Sequence, residues 1–407
     1  MQGSYDFVVA GGGPAGLQFA RTVASRSDHS VAVLERNDEL RENDKSTGGT
    51  FAEVVEGYGV REAVMAGTNS VTFEGPTSRA ELDIEGYVLD FPRLLEFLGR
   101  EAASAGADVF TGVEVTGPVL EGDAIRGVRY RAPDGDGELR AAVTVDATGP
   151  AATLTSELGY FDRSAAQRGI GLEFEVEGRY ETDGTMLFRF DHSVAPGGYA
   201  WTFPAGDGAF KAGVCWVDDF HAVHGDGTPI HDHVERWVRE DPRWRVDRVR
   251  ARHAGEVVSN NSINRRAADG FLAVGDAVSS INPLFGEGIR PGMQSAEMAA
   301  DVAVDAVADG DTSRERLAAY ERRWNAEKGR AWKLQRIVGE LLYDFDADQQ
   351  DRFVRKVDGL SPAATERLRT YRLRLLDLAR LYPFEPRDLP KLPRLVRHLR
   401  SRGPRVG

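Results

Sequence analysis

The chain has 407 residues, with 64 acidic against 51 basic side chains and a formal net charge of -13. A surface this acidic argues against a nucleic-acid partner, and a single cysteine, Cys215, rules out an internal disulfide and any cysteine-built metal or iron-sulfur centre on the chain. No run of about 18 apolar residues offers a membrane span, and no signal-peptide pattern stands at the start, so a cytoplasmic protein is expected. Only six of the basic residues are lysine. Excess acid with scarce lysine is the composition of a protein from a high-salt cytoplasm; a GC-rich genome accounts for the arginine but not for the acid.

The first element is an apolar strand from Tyr5, followed by GGGPAG (Gly11–Gly16), an amphipathic helix and a second apolar strand ending in Glu35 and Arg36. This is a dinucleotide-binding βαβ unit. Gly11 permits the tight turn, Gly13 lets a pyrophosphate approach the backbone, and Gly16 lets the helix lie close to the strand. The helix opens at Pro14 and Ala15, so its free N–H groups and positive dipole end face that pyrophosphate. Glu35 stands 19 residues after Gly16, where a carboxylate accepts both hydroxyls of an adenosine ribose.

DKSTGG (Asp44–Gly49) is a turn after that strand, Phe91 to Gly106 read as a helix, and Ala107 to Ala147 alternate like paired strands about a DGDG turn. Val143 to Gly149 return to the nucleotide sheet. From about Arg168 to Val258 the pattern changes to long β-like runs, GIGLEFEVEG, GTMLFRFD and GAFKAGVCWV, with one helix from His231 to Arg239. These predict an antiparallel sheet. In GYAWTFP (Gly198–Pro204), Tyr199, Trp201 and Phe203 project from one face of a strand as a continuous aromatic surface, although the same alternation builds ordinary sheet cores. Cys215 reads as a buried strand residue. His221, His224, His231 and His233 lie beside four aspartates in what reads as an exposed loop leading into the helix, so no metal site is expected.

Gly270 to Met293, GFLAVGDAVSSINPLFGEGIRPGM, are a strand running into a glycine-rich turn and then a helix. Gly275 and Asp276 close the strand, placing a carboxylate for a polyol such as the ribityl chain of a flavin. Gly286 and Gly288 open the helix that begins at Ile289, whose N–H groups face a flavin pyrimidine ring and favour the anion formed on reduction. Two distant segments of one chain thus hold one FAD. The expected fold class is α/β: a Rossmann-like FAD-binding domain in two parts (1–167 and 267–330), an inserted antiparallel β-sheet substrate domain (168–266) and a helical C-terminal region with a basic tail (331–407).

Together, GGGPAG, the LER at Leu34–Arg36, GDAVSSINPLFGEGI and GYAWTFP resemble the geranylgeranyl reductase family of flavoproteins. That family lies in the para-hydroxybenzoate hydroxylase-like group and includes the archaeal digeranylgeranylglycerophospholipid reductases; the resemblance covers about Tyr5 to Asp309. It implies saturation of isoprenoid double bonds by reduced FAD, on geranylgeranyl chains of archaeal ether lipids or their precursors. It also implies that Arg36, Thr47, Gly48, Arg93 and Val113 join the FAD-contacting residues. Tyr199, Trp201 and Phe203 then line the lipid pocket, and Tyr199 and Thr47 are the candidate catalytic hydroxyls. Two departures limit the transfer. Many members carry a cysteine where this chain has Thr47, so no thiol role carries over, and the arginine that usually follows the aspartate corresponding to Asp90 is here Phe91, with Arg93 the nearest arginine. No residue declares itself as the proton donor.

DATGPAATL from Asp146 poorly matches the motif that helps related hydroxylases use NAD(P)H, so a separate electron donor is expected, a ferredoxin or an NAD(P)H-linked one. From Thr365 to Gly407 there are 12 basic and 4 acidic residues, and Leu392, Leu395, Val396 and Leu399 fall on one helical face. The tail reads as a peripheral contact with the inner face of the cell membrane, or as a helix docked on the acidic body. A flavin-dependent monooxygenase or halogenase and a carotenoid cyclase share the cofactor motifs and remain alternatives. A prenyl-binding carrier without redox chemistry has no use for them.

Overall fold

The computed structural model describes residues 3–45, 47–160, 167–181, 184–259, 265–284, 286–370, 372–383 and 385. The amphipathic segment expected at Leu392 to Leu399 lies outside them. Val31–Leu34 and the later half of Ser4–Ala10 are buried on both faces, as parallel strands covered by helices must be. They pair in parallel with each other and with Gly137–Asp146 and Asp108–Phe110, and Phe271–Ala273 extends the parallel set. The hairpin Glu114–Glu121 and Ala124–Arg131 is built onto the start of Gly137–Asp146. Register aligns Leu34, Ala10, Asp146 and Ala273 along one carboxyl edge, where sheets of this type bind ligands. The helices Pro14–Arg26 and Ile289–Ala308 start at that edge and pack together over the sheet, burying Leu17, Phe19, Val23, Met293 and Ala296.

The second sheet has seven strands, in the order Trp244–Ser259, Gln167–Tyr180, Ala209–Val217, Gly198–Pro204, Thr185–Arg189, Ser70–Glu74 and Arg79–Leu82. The inserted sheet expected within 168–266 therefore takes two strands from earlier in the chain, and Ser70–Glu74 joins Thr185–Arg189 in parallel. Apolar burial explains the crossing, because Val71 and Phe73 pack with Met186 and Phe188 instead of with the nucleotide core. One sheet face packs on the helix Ile230–Glu240 through Phe174, Leu187, Phe210 and Trp237. The other meets the C-terminal helices Arg330–Asp344, Ala347–Asp358 and Pro362–Arg369 through Phe73, Trp201, Phe203, Phe353 and Leu368.

The histidine-rich stretch is not an exposed loop. It forms two helices, Asp218–His224 and Ile230–Glu240, and aromatic packing takes all four of its rings, His231 lying edge-on to Phe174. His221 stacks on Trp216 and His224 on His192, with ring centroids 3.9 Å apart in each pair, and His233 is buried against the edge of Trp216. Among the described residues no group of three or more side chains is placed to hold a metal, and no helix is long and apolar enough to cross a membrane.

Candidate active site

A single cavity of about 750 Å³ runs from the GGGPAG turn to the aromatic strand. At its nucleotide end the glycines divide the labour by geometry. Gly11 has φ +106°, and a Cβ there would sit 2.4 Å from the Ala147 carbonyl oxygen; one on Gly16 would sit 2.0 Å from the Gly11 oxygen. A Cβ on Gly13 meets nothing within 4 Å, so its missing side chain leaves room for a ligand and not for protein. Gly13→Val should therefore fold normally yet lose FAD during gel filtration. A yellow, stoichiometrically loaded variant would refute this placement.

Glu35 is 8 % exposed and accepts hydrogen bonds from the N–H groups of Gly12 (2.8 Å) and Asn37 (3.0 Å). Each carboxylate oxygen keeps accepting capacity for a ribose hydroxyl. Arg36, Asn37, Val113 and Thr148 line the same end. Asn37 and Thr148 escaped sequence reasoning, although Asp146 holds a signal: its buried carboxylate accepts four hydrogen bonds from the backbone and hydroxyls of Thr148 and Thr155, locking DATGPAATL at the sheet edge.

Gly275, Asp276, Gly286, Gly288 and Ile289 line the middle of the cavity, where the helix Ile289–Ala308 begins. Burial pushes the Asp276 carboxyl up to about 6. A carboxylic acid whose pKa rises on folding loses stability as pH climbs past its unfolded value near 3.8, and the loss is complete above about 6. Asp276→Asn should accordingly stabilise the flavin-free protein at pH 7 by up to about 3 kcal/mol, and hardly at all near pH 4. Equal unfolding midpoints at pH 7 would contradict it.

Thr47 and Gly48 also line the cavity. Gly48 has φ +81° and lies so close to the Leu89 backbone that a Cβ would stand 2.1 Å from its oxygen. The turn rests on the second sheet, where Lys211 Nζ donates to the Thr47 carbonyl at 3.4 Å and His253 Nδ1 lies 3.1 Å from the Asp44 carbonyl. Lys45 faces the cavity, and partial burial, then the Arg36 charge, lower its ammonium pKa. Arg93 departs from expectation. It lines a separate, smaller cavity of about 380 Å³, because Asp90 caps the helix Phe91–Ser104 through the Arg93 N–H and pairs with its guanidinium at 3.3 Å.

Tyr199, Trp201 and Phe203 all line the far half of the main cavity. Directly paired residues share a face, so Trp201, Phe188 and Phe73 continue the apolar wall across three strands, with Val71, Met186 and Ile84 beyond. The Trp201 indole lies over two glycines: a Cβ on Gly213 would stand 2.2 Å from the ring and one on Gly171 3.5 Å. Its N–H donates to Glu173 Oε2 at 2.7 Å. Trp201 is thus wall and core at once. The Tyr199 hydroxyl lies 3.6 Å from where a Gly286 Cβ would be, so the aromatic wall meets the glycine-rich turn. Cys215 also lines the cavity, and burial pushes its thiol up to about 12, which keeps it neutral.

These residues fit FAD: an open backbone at Gly13, a buried acid at Glu35, a second acid at Asp276 and two helix N-termini converge on one elongated cavity. The fold and site define a Rossmann-type flavoprotein with an inserted sheet domain. A family model described as lycopene cyclase protein matches residues 6–388. The digeranylgeranylglycerophospholipid reductase of Haloferax volcanii is 34% identical over 370 residues, 87% of this chain and 89% of that protein. Digeranylgeranylglycerophospholipid reductase 1 of Methanopyrus kandleri is 30% identical over 90% of this chain and 97% of that protein. The chain belongs to the lycopene cyclase protein family and, by these relatives, to the digeranylgeranylglycerophospholipid reductases. In fold it is similar to a geranylgeranyl bacteriochlorophyll reductase-like protein of Thermoplasma acidophilum, with a TM-score of 0.82, 21% identity, and 98% and 99% of the two chains covered. A flavin-dependent brominase shares the fold at a TM-score of 0.71 and 18% identity, with 98% and 99% covered.

Proposed function

We propose that this chain is an FAD-dependent reductase that saturates isoprenoid double bonds, on the geranylgeranyl chains of archaeal ether lipids or their precursors. The observation that carries this is the continuity of one cavity from the dinucleotide turn to an apolar, aromatic wall. Gly11, Gly13, Glu35, Arg36, Thr47, Gly48, Val113, Asp276 and the N-terminus at Gly288 would hold the cofactor, which when bound supplies the two-electron reduction. Tyr199, Trp201 and Phe203 exclude water and orient the chain, and their ring faces favour the positive character that develops on a tertiary carbon.

The test is anaerobic reduction followed by mixing with an unsaturated archaeal lipid extract. A gain of two hydrogens per double bond with flavin reoxidation supports the reading, and reduced flavin beside unchanged lipid overturns it. A carotenoid cyclase, which the description of the family model favours, isomerises its substrate and leaves mass unchanged, so the same spectrum separates the two. Support for a separate electron donor is the poor match of DATGPAATL to a nicotinamide-using motif; reduction of the purified protein by NADPH alone would contradict it. Support for membrane contact is Leu376, 71 % exposed between Arg374 and Arg380, close in sequence to Leu368 and Arg369, which line the cavity. Equal liposome sedimentation after truncation beyond Leu389 would remove the basic tail from that contact.

A further inference from the structure

Register sets which side chains of the second sheet face the cavity. Trp201 stands opposite Gly213, Gly213 opposite Glu173, and Glu173 opposite His253, so the four share one face. With no side chain on Gly213, the indole reaches across to Glu173 Oε2. The other oxygen, Oε1, is buried without a hydrogen-bond partner among the described residues, while Glu173, 3 % exposed, lines the cavity. A buried carboxyl oxygen left in this state is costly unless a proton or a ligand satisfies it.

On the same face, Glu175 stands opposite Lys211, and these two line the smaller, polar cavity of about 380 Å³ and not the larger one. His253 lines the larger cavity, and its Nε2, also buried without a hydrogen bond among the described residues, lies 4.0 Å from Glu175 Oε2. Glu173, His253 and Glu175 therefore form a polar strip between the two cavities. The aromatic wall beside it holds phenyl, indole and phenol groups, and Glu173 is the carboxyl group in contact with Trp201.

We propose that Glu173 donates the proton to the alkene and is reloaded through His253 and Glu175 from the smaller cavity, a role that rests on the reductase reading. The π pair of the double bond takes the Glu173 carboxyl proton at the less substituted carbon, forming one C–H bond and leaving a carboxylate. The tertiary carbon, positive as that bond forms, takes a hydride. Two hydrogens are added, and the reductant, reduced flavin, loses two electrons. The Trp201 N–H stabilises the carboxylate left behind, and its ring face the positive carbon.

Glu173→Gln discriminates, because an amide oxygen still accepts the Trp201 N–H while the transferable proton is gone. Enzyme reduced anaerobically is mixed with a digeranylgeranyl phospholipid, and flavin reoxidation and lipid mass are followed. The variant should be reoxidised by lipid at least about a hundredfold more slowly than wild type, with unchanged flavin content, reoxidation by dioxygen and thermal midpoint. Glu173→Asp, which keeps the acid, should recover part of the lost rate. Infrared difference spectra on lipid reduction should show a protonated carboxyl signal in the wild type that Glu173→Gln lacks. Wild-type rates in Glu173→Gln overturn the proposal. Equal slowing in both variants, without the infrared signal, also overturns it and leaves Glu173 to hold Trp201. A wild type that lipid does not reoxidise overturns the reductase reading and the proposal with it.

Discussion

Gly16→Ala should cost the nucleotide domain about 3 kcal/mol or more and abolish flavin retention with it. A Cβ at this position would lie 2.0 Å from the Gly11 carbonyl oxygen and 3.1 Å from the Ala147 side chain. The obstruction is backbone, which no rotamer change relieves. Relief requires the helix Pro14–Arg26 to lift from the strand Ser4–Ala10, opening the core formed by Phe7, Val9, Leu17, Phe19 and Val33. That core is packed at crystal-like density, so a shift of an ångström forfeits many contacts at once. Gly13→Val is the control, since its side chain enters ligand space and should leave the unfolding midpoint unmoved. Denaturant unfolding of both variants in molar salt checks the pair. A Gly16→Ala protein as stable as wild type would mean that the glycine does not set the helix-strand distance.

The glycines were legible in the sequence because their task is local: a turn, an open backbone and a close approach all fall within six residues of chain. Glu35 and Asp276 were legible because each lies just past the end of a strand whose position the fold dictates. Glu173 was not, and the reason is periodicity. In GIGLEFEVEG, Leu172, Phe174 and Val176 alternate with Gly171, Glu173 and Glu175, which reads as a strand with an apolar core face and a solvated polar face. The structure gives the apolar face to the helix Ile230–Glu240 and turns Gly171 and Glu173 toward the main cavity. A carboxylate facing water and one facing an internal cavity carry the same letter. The place of Ser70–Glu74 in the second sheet escaped for a related reason, since its pairing with Thr185–Arg189 over more than a hundred residues leaves no short-range pattern, and Arg79–Leu82 follows it there as its antiparallel neighbour. Arg93 was placed among the FAD-contacting residues by resemblance, and the cap at Asp90 turns it toward the smaller cavity.

Trp201→Ala should lower the rate of lipid-dependent flavin reoxidation at least about a hundredfold per folded molecule, since misplacing the alkene by an ångström suffices for such a loss. It should also destabilise the protein by about 3 kcal/mol, the lower end for loss of a buried tryptophan, because one side of the ring faces the cavity instead of packed neighbours. The two effects have separable origins. Stability falls because Gly213 and Gly171 lose the ring that covers them, leaving a void that extended strands cannot close. Rate falls because the wall retreats and Glu173 loses the N–H that holds its carboxyl in place. Trp201→Phe helps to separate these causes: it keeps an aromatic ring in the wall, while removing the donor and part of the indole that covers the two glycines. Its stability should lie nearer to wild type than that of Trp201→Ala, while its rate should remain well below wild type. Thermal unfolding and reoxidation measured on the same three proteins in molar salt decide the matter. If Trp201→Ala loses its stability but turns over normally in the folded fraction, the indole is core alone, and the lipid path runs along Tyr199, Phe188 and Phe73 without it.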